Sequence, residues 1–165
     1  MFPNEKIADL QAIENKNAMD YGRVACEVRA EPMEQGEWGY QQGNAIVINL
    51  NELNNPNFWE HVDTIFHEGS HAKDWQAIFF PSIRCDYSAE QFRAVNSPIP
   101  NPEVDPEGYW NHPAEVAARE AGSKGVEKIV CDQERIAQVD QAHHTTRSQI
   151  LEAFDYVARD SDTSV

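Results

Sequence analysis

The spacing of apolar residues along the chain predicts a protein of mixed helix and strand. Apolar residues at helical spacing predict a helix over residues 4–18 and a longer one over residues 57–80, which ends before Pro81. Between these helices, alternating or β-branched apolar residues predict strands over residues 21–28, 36–43 and 44–50. The last strand follows Gly43-Asn44, a dipeptide suited to a hairpin turn. These elements favour an α+β fold with a small antiparallel or mixed sheet.

Prolines and glycines set the expected boundaries in the second half of the chain. Four prolines between residues 97 and 106 predict an extended surface loop, which we expect to border the functional site. Pro113 suits the first turn of a further helix, and Gly122 and Gly125 are expected to break it. Apolar residues at helical spacing beyond residue 126 predict one interrupted helix or two. Asn57 lies three residues before Glu60, a spacing typical of a helix cap.

Composition and charge exclude several classes of protein. The length of 165 residues favours a single domain over residues 1–165, and a net charge of −15 excludes non-specific binding to nucleic acid. The sequence has no apolar run long enough for a membrane span and no signal-peptide pattern at its start, so the sequence leaves localisation open. We expect the three cysteines, Cys26, Cys85 and Cys131, to be small buried residues rather than disulfide or zinc ligands.

The motif His67-Glu68-Gly69-Ser70-His71 is the main candidate for chemistry and lies inside the second predicted helix. Residues four apart share one helix face, so both imidazoles can bind one zinc ion. Glu68 is rotated about 100° from His67, off the line of the ligands, where its carboxylate can act as a base toward metal-bound water. This arrangement predicts hydrolytic chemistry with one metal ion per chain. Two imidazole ligands together with a carboxylate as third ligand favour zinc.

A catalytic zinc site needs a third protein ligand from elsewhere in the fold. Glu115 is the preferred candidate because small apolar residues follow it and allow close packing against the first metal-binding helix. His112 is the alternative and would complete a three-histidine site, but it could equally contact a substrate oxyanion or cap the helix. His61 and the pair His143-His144 are not expected to be ligands.

Three segments of the chain together resemble a known family. They are Asn44–Leu50, Thr64–Ala72, and the pattern Tyr109-x-x-x-Pro-x-Glu-x-x-Ala-Arg119. They are similar to the zincin-like metallopeptidase domains at the ends of bacterial polymorphic toxins. The resemblance covers roughly residues 36–125, which is also the best-supported core of the predicted domain.

The resemblance implies a gluzincin-type site. In such a site His67, His71 and Glu115 are the metal ligands and Glu68 is the base. The segment from residue 45 to residue 50 would then be the edge strand along which an extended peptide lies. The resemblance also implies a secreted or delivered toxin or effector, whose partners include a cognate immunity or inhibitor protein.

Five further residues are assigned supporting roles. Tyr109 and His112 are candidates for the donor that stabilises the oxyanion. Asp63 and Asp74 flank the motif and are candidates for orienting the imidazoles. Arg119 is expected either to pair with a carboxylate and hold the Glu115 helix in place, or to be a solvated helix residue.

The sequence therefore predicts a zinc-dependent metallopeptidase that acts on a peptide or protein substrate. One alternative is a zincin-fold binding protein without turnover, although Glu68 beside the ligands favours catalysis. Another is metal-dependent hydrolysis of a non-peptide amide such as a cell-wall crosslink, which would use the same residues. The negative charge of the chain would steer a cationic substrate or a basic inhibitor to its surface.

Overall fold

The computed structural model describes residues 3–54, 57–80, 82–83 and 87–134. The chain divides into two units, Met1–Val126 and Glu127–Val165. Only residues 127–134 of the second unit are described, and they are helical. Cys85, His143-His144 and the helical pattern predicted beyond residue 134 lie outside the described residues. Cys26 is buried as expected, whereas Cys131 is exposed, so the expectation of burial is wrong for Cys131. The fold and the candidate site below belong to the first unit.

The described elements confirm the α+β class. In the first unit the helices are α1 (Pro3–Tyr21), α2 (Phe58–Phe79), α3 (Ala89–Val95), α4 (Pro106–Trp110) and α5 (113–126), and the strands are β1 (Glu27–Glu31), β2 (Gly39–Gln42) and β3 (Ala45–Asn49). No helix within the described ranges combines the length and the apolar character needed to cross a membrane.

The sheet is small and mixed, with strand order β1-β3-β2. Strand β1 runs parallel to β3, whereas β2 runs antiparallel to it. All five residues of β3 are buried, as expected for a near-continuous apolar strand with a neighbour on each side. The expectation that residues 45–50 form the edge strand is therefore wrong. Strand β2, on the side of β3 opposite β1, lies at the edge.

The first strand begins six residues later than the apolar alternation predicts. Residues 21–26 precede β1, because Arg23 is buried and its guanidinium pairs with the Glu14 carboxylate of α1. The backbone N–H of Cys26 also donates to Glu14. The backbone N–H groups of Val24 and Cys26 thus donate to side chains and not to a neighbouring strand.

Helix α2 matches the predicted range to within one residue at each end. The cap-like spacing at its start does not form a backbone cap, because the Asn57 side chain donates to the Glu60 carboxylate at 3.0 Å instead. Helix α1 packs against β1 and against α2, the helix that carries the histidine motif.

Helix α5 begins at Pro113 as predicted but is not broken at Gly122 or Gly125. A Cβ at Gly122 would lie 2.6 Å from Oδ1 of Asp63, and one at Gly125 would overlap the Phe66 ring. Both neighbours belong to α2, so the glycines allow α5 to pack closely against α2. Close packing, rather than helix termination, is the role of these glycines.

The segment between α3 and α4 is irregular, as its prolines predict, but regular structure flanks it on both sides. Ser88 and Gln91 form a capping box at the start of α3. Pro106 occupies the first turn of α4, where the Asp105 side chain accepts a hydrogen bond from the N–H of Gly108. Both helices are too short for apolar periodicity to predict them.

Candidate metal centre

Three donor side chains from two helices converge on one point. Helix α2 places His67 and His71 on one face, with ring centroids 5.1 Å apart. Helix α5 brings in Glu115, whose carboxylate oxygens lie 3.5 Å from Nε2 of His67 and 3.2 Å from Nε2 of His71. One ligand atom from each residue lies within 4.8 Å of the other two, so the group could hold a metal ion.

The electrostatics of this group suit a cation. Burial acts to raise the pKa of Glu115, but hydrogen bonds from His67 and His71 hold it well below its usual range. Burial acts to lower the pKa of His71, but its hydrogen bond to Glu115 and the nearby carboxylates raise it overall. A buried anionic carboxylate beside two imidazole nitrogens is a donor set that zinc takes in proteins, so the residues fit this metal.

Glu68 lies beside the donor group without belonging to it. Its carboxyl is buried, which raises its pKa, and the charge of Glu115 raises it further. His71, His67 and a hydrogen bond from the backbone of Gln41 act in the opposite direction. Glu68 is therefore a buried carboxyl group beside the donors whose pKa lies above its usual range.

A cleft of about 470 Å³ adjoins the donor group. Glu68, His71 and Glu115 line it together with residues 39–41 of β2. Ser97 and Ile99 of the proline-rich loop also line it, as do Val95 and Asn96 at the end of α3, so the loop borders this cleft. Residues of an edge strand, of α2 and of an irregular loop thus surround a space of the size that a small ligand occupies.

Tyr109 lines the same cleft and makes a hydrogen bond with Glu115. Burial and the charge of Glu115 raise the pKa of its phenol to about 12. The hydroxyl is therefore protonated at neutral pH, and in this structure it donates its hydrogen to the Glu115 carboxylate. Its role as the oxyanion donor stays a prediction.

His112 caps α5 and lies outside the donor group. Its Nδ1 accepts a hydrogen bond from the N–H of Ala114 at 3.2 Å, so Nε2 carries the ring hydrogen and donates to Oγ of Ser97 at 2.9 Å. The Ser97 hydroxyl in turn donates to the carbonyl of Ala94 at 2.6 Å. Of the three roles considered for His112, the structure supports helix capping, because both ring nitrogens are already used.

The supporting residues differ in outcome. Arg119 stacks over the Trp110 ring at 4.0 Å and donates to the Trp110 carbonyl, so it braces the start of α5 through Trp110 and not through a carboxylate. The Asp74 carboxylate lies beside Tyr87 and Lys73, and Nζ of Lys73 is 3.3 Å from its Oδ1. The Asp63 carboxylate faces Gly122. The orienting roles of the two aspartates stay predictions.

His61 is not part of the donor group, as expected. It is fully buried, its Nε2 lies 3.0 Å from the carbonyl oxygen of Glu52, and its ring packs edge-on against Trp38 and Phe58. Burial lowers its pKa, so the ring is neutral in the core. Its role is structural.

Two residues of the cleft were not predicted from the sequence, although their spacing from His71 indicates them. Trp75 and Ile78 follow His71 by four and seven positions, which places them on the same helix face. The contribution of Gly39 and Gln41 has no comparable local signal, because it depends on where β2 lies relative to α2.

Comparisons of the chain with protein families, with curated proteins and with solved structures find no match. The described geometry defines an α+β protein with a small mixed sheet. In it His67, His71 and Glu115 could hold a metal ion beside a cleft.

Proposed function

We propose that the protein is a zinc-dependent metallopeptidase of the zincin-like type. His67, His71 and Glu115 hold the single zinc ion, and Glu68 is the general base. The observation that carries the proposal is the convergence of these three donors within 4.8 Å. The position of a buried carboxyl, Glu68, in the adjoining cleft supports hydrolysis over simple metal storage.

Each group at the cleft has a defined part in peptide hydrolysis. A bound zinc ion supplies a water of lowered pKa and polarises the carbonyl to be attacked. Glu68 accepts a proton from the attacking water and delivers it to the leaving amine nitrogen. The Tyr109 hydroxyl turns from Glu115, which then binds the metal, and donates its hydrogen to the oxygen that becomes negatively charged.

Strand β2 supplies the surface on which an extended substrate lies. Residues 39–41 line the cleft at the sheet edge, and an edge strand can pair its backbone groups with an added peptide. We assign to β2 the role that the resemblance implied for β3. The proposal also keeps delivery as a toxin or effector, with a cognate inhibitor protein as partner.

Metal analysis tests the donor set. Protein purified without added metal and then titrated with zinc should bind about one ion per chain. Glu115→Gln should weaken zinc binding by more than about 100-fold, because it removes a ligand and not merely a group that orients one. Glu120→Gln is the matched control, since Glu120 is exposed on the same helix and pairs with Lys124. Failure to take up zinc, or equal losses in both variants, would overturn the site.

Hydrolysis of a fluorescein-labelled unfolded casein tests the reaction. The zinc-loaded protein should cleave it, and Glu68→Gln should lose about 10²- to 10⁴-fold in rate while keeping its zinc. Glu60→Gln, an exposed glutamate on the first turn of α2, should cleave at the wild-type rate. A zinc-loaded protein that leaves casein intact would refute peptidase activity and favour the binding-protein alternative.

A further inference from the structure

The cleft continues along α2 beyond the metal donors. His71, Trp75 and Ile78 stand at positions i, i+4 and i+7, and all three line the cleft. A rise of 1.5 Å per residue puts Ile78 about 10 Å beyond His71 along the helix axis. The space next to the donor group is therefore long enough for one large side chain of a bound peptide.

The lining of this extension is mostly apolar. Trp75 is 43% exposed, Ile78 is 49% exposed and Ile99, from the loop after α3, is 43% exposed. The Trp75 ring meets the Phe79 ring edge-on at 5.3 Å, which holds it in place. Large apolar side chains left exposed in a concave surface are typical of a site that covers them with an apolar ligand.

Apart from His71 and the metal ion that the donors would hold, the charged groups around the cleft are all acidic among the described residues. The carboxyl groups of Glu68, Asp74 and Glu115 line it, and neither a lysine nor an arginine does so among the residues that the structure describes. An acidic side chain entering the extension would meet no positive side chain except the site histidine, His71. The charge pattern therefore disfavours acidic side chains next to the bond that is cut.

We propose that Trp75, Ile78 and Ile99 form a specificity subsite, called here the apolar subsite. It selects peptides with a large aromatic or aliphatic side chain next to the scissile bond and rejects those with an acidic one. The inference rests on the proposed function, because it assumes that the peptide lies over the metal donors. Transfer of a phenylalanine or leucine side chain from water into such a site strengthens binding about tenfold or more over glycine.

Amino-acid hydroxamates test the apolar subsite without turnover. The hydroxamate group anchors each probe at the zinc ion, so only the side chain differs between phenylalanine, glycine and aspartate hydroxamates. Calorimetric titration of the zinc-loaded protein should give an affinity for the phenylalanine probe about tenfold or more above that for glycine. The aspartate probe should bind more weakly than the glycine probe.

Three variants locate the selectivity. Trp75→Ala should reduce the phenylalanine preference to less than about threefold, because most of the apolar wall is removed. Trp59→Ala is the matched control, since Trp59 is 37% exposed on the same helix and does not line the cleft. Ile78→Lys adds a positive charge at an exposed position and should bring the aspartate probe above glycine.

The outcomes separate the two proposals. Equal affinities for the phenylalanine and glycine probes would overturn the apolar subsite, as would equal effects of Trp75→Ala and Trp59→Ala. A protein that takes up no zinc would overturn both proposals. A zinc-loaded protein that selects the phenylalanine probe but leaves unfolded casein intact would refute the peptidase and support the apolar subsite.

Discussion

The buried ion pair behind α2 provides the sharpest stability prediction. The Arg23 and Glu14 side chains are both 0% exposed and are joined by two hydrogen bonds, of 2.6 and 2.8 Å. Oε1 of Glu14 also accepts a hydrogen bond from the N–H of Cys26 at 2.8 Å. A Cβ at Gly69, inside the metal-binding motif, would lie 2.9 Å from Nη2 of Arg23. The pair thus links α1, the segment before β1 and α2.

Glu14→Gln should lower the free energy of unfolding by about 3–5 kcal/mol, because it leaves a buried guanidinium without a counter-charge. The amide keeps one oxygen as an acceptor, whereas its NH₂ group cannot accept from the guanidinium. Against a typical total of about 5–15 kcal/mol, this loss is large enough to move the whole unfolding transition.

Urea denaturation followed by tryptophan fluorescence measures the loss. Zinc-free protein should be used, so that metal binding does not contribute to the apparent stability. Asp9→Asn, at an exposed position on α1, is the control and should stay within about 0.5 kcal/mol of wild type.

A double variant distinguishes charge imbalance from loss of packing. Glu14→Met combined with Arg23→Met removes both charges, so it should be more stable than Glu14→Gln alone. A cost below about 1 kcal/mol for Glu14→Gln would refute the reasoning. So would a double variant whose loss equals the sum of those of the two single methionine variants, since coupled charges are not additive.

Three further predictions follow from the described contacts. Gly125→Ala should lower the free energy of unfolding, measured by urea denaturation, by about 1–3 kcal/mol, because the new Cβ would overlap the Phe66 ring. A variant more stable than wild type would contradict the packing role of Gly125. Burial raises the pKa of the Cys26 thiol to about 11, so iodoacetamide at pH 8 should modify the exposed Cys131 and spare Cys26. Peptide mass spectrometry measures the labelling of each cysteine, and rapid labelling of Cys26 would contradict its burial. Zinc at 100 times its Kd should add about 2.7 kcal/mol to the unfolding free energy, and a chelator should remove this gain in thermal scans. An unchanged midpoint would show that zinc does not bind the native state.

Local periodicity explains why much of the main helix was predictable. The range of α2 and the shared face of His67 and His71 follow from 3.6 residues per turn, which the order of side chains alone determines. The start of α5 at Pro113 is likewise local, because proline suits a first helical turn.

Predictions of secondary structure were wrong where one residue type can serve two different structural roles. Gly122 and Gly125 were expected to end a helix, but in α5 the absence of a side chain serves close packing against α2. The alternation around Val24 and Cys26 resembles a strand, yet the buried charge of Arg23 draws that segment to Glu14. Such choices depend on a partner that is distant in sequence.

The sequence by itself determined the α+β class, the two histidines on one helix face and the carboxyl of Glu68 beside them. Only the tertiary structure shows that Glu115, and not His112, lies beside the two histidines, because this depends on how α5 packs against α2 and on the Ser97 hydroxyl that engages His112. It also decided that β3 is central, since strand order is set by pairing between segments and not by the composition of any one strand.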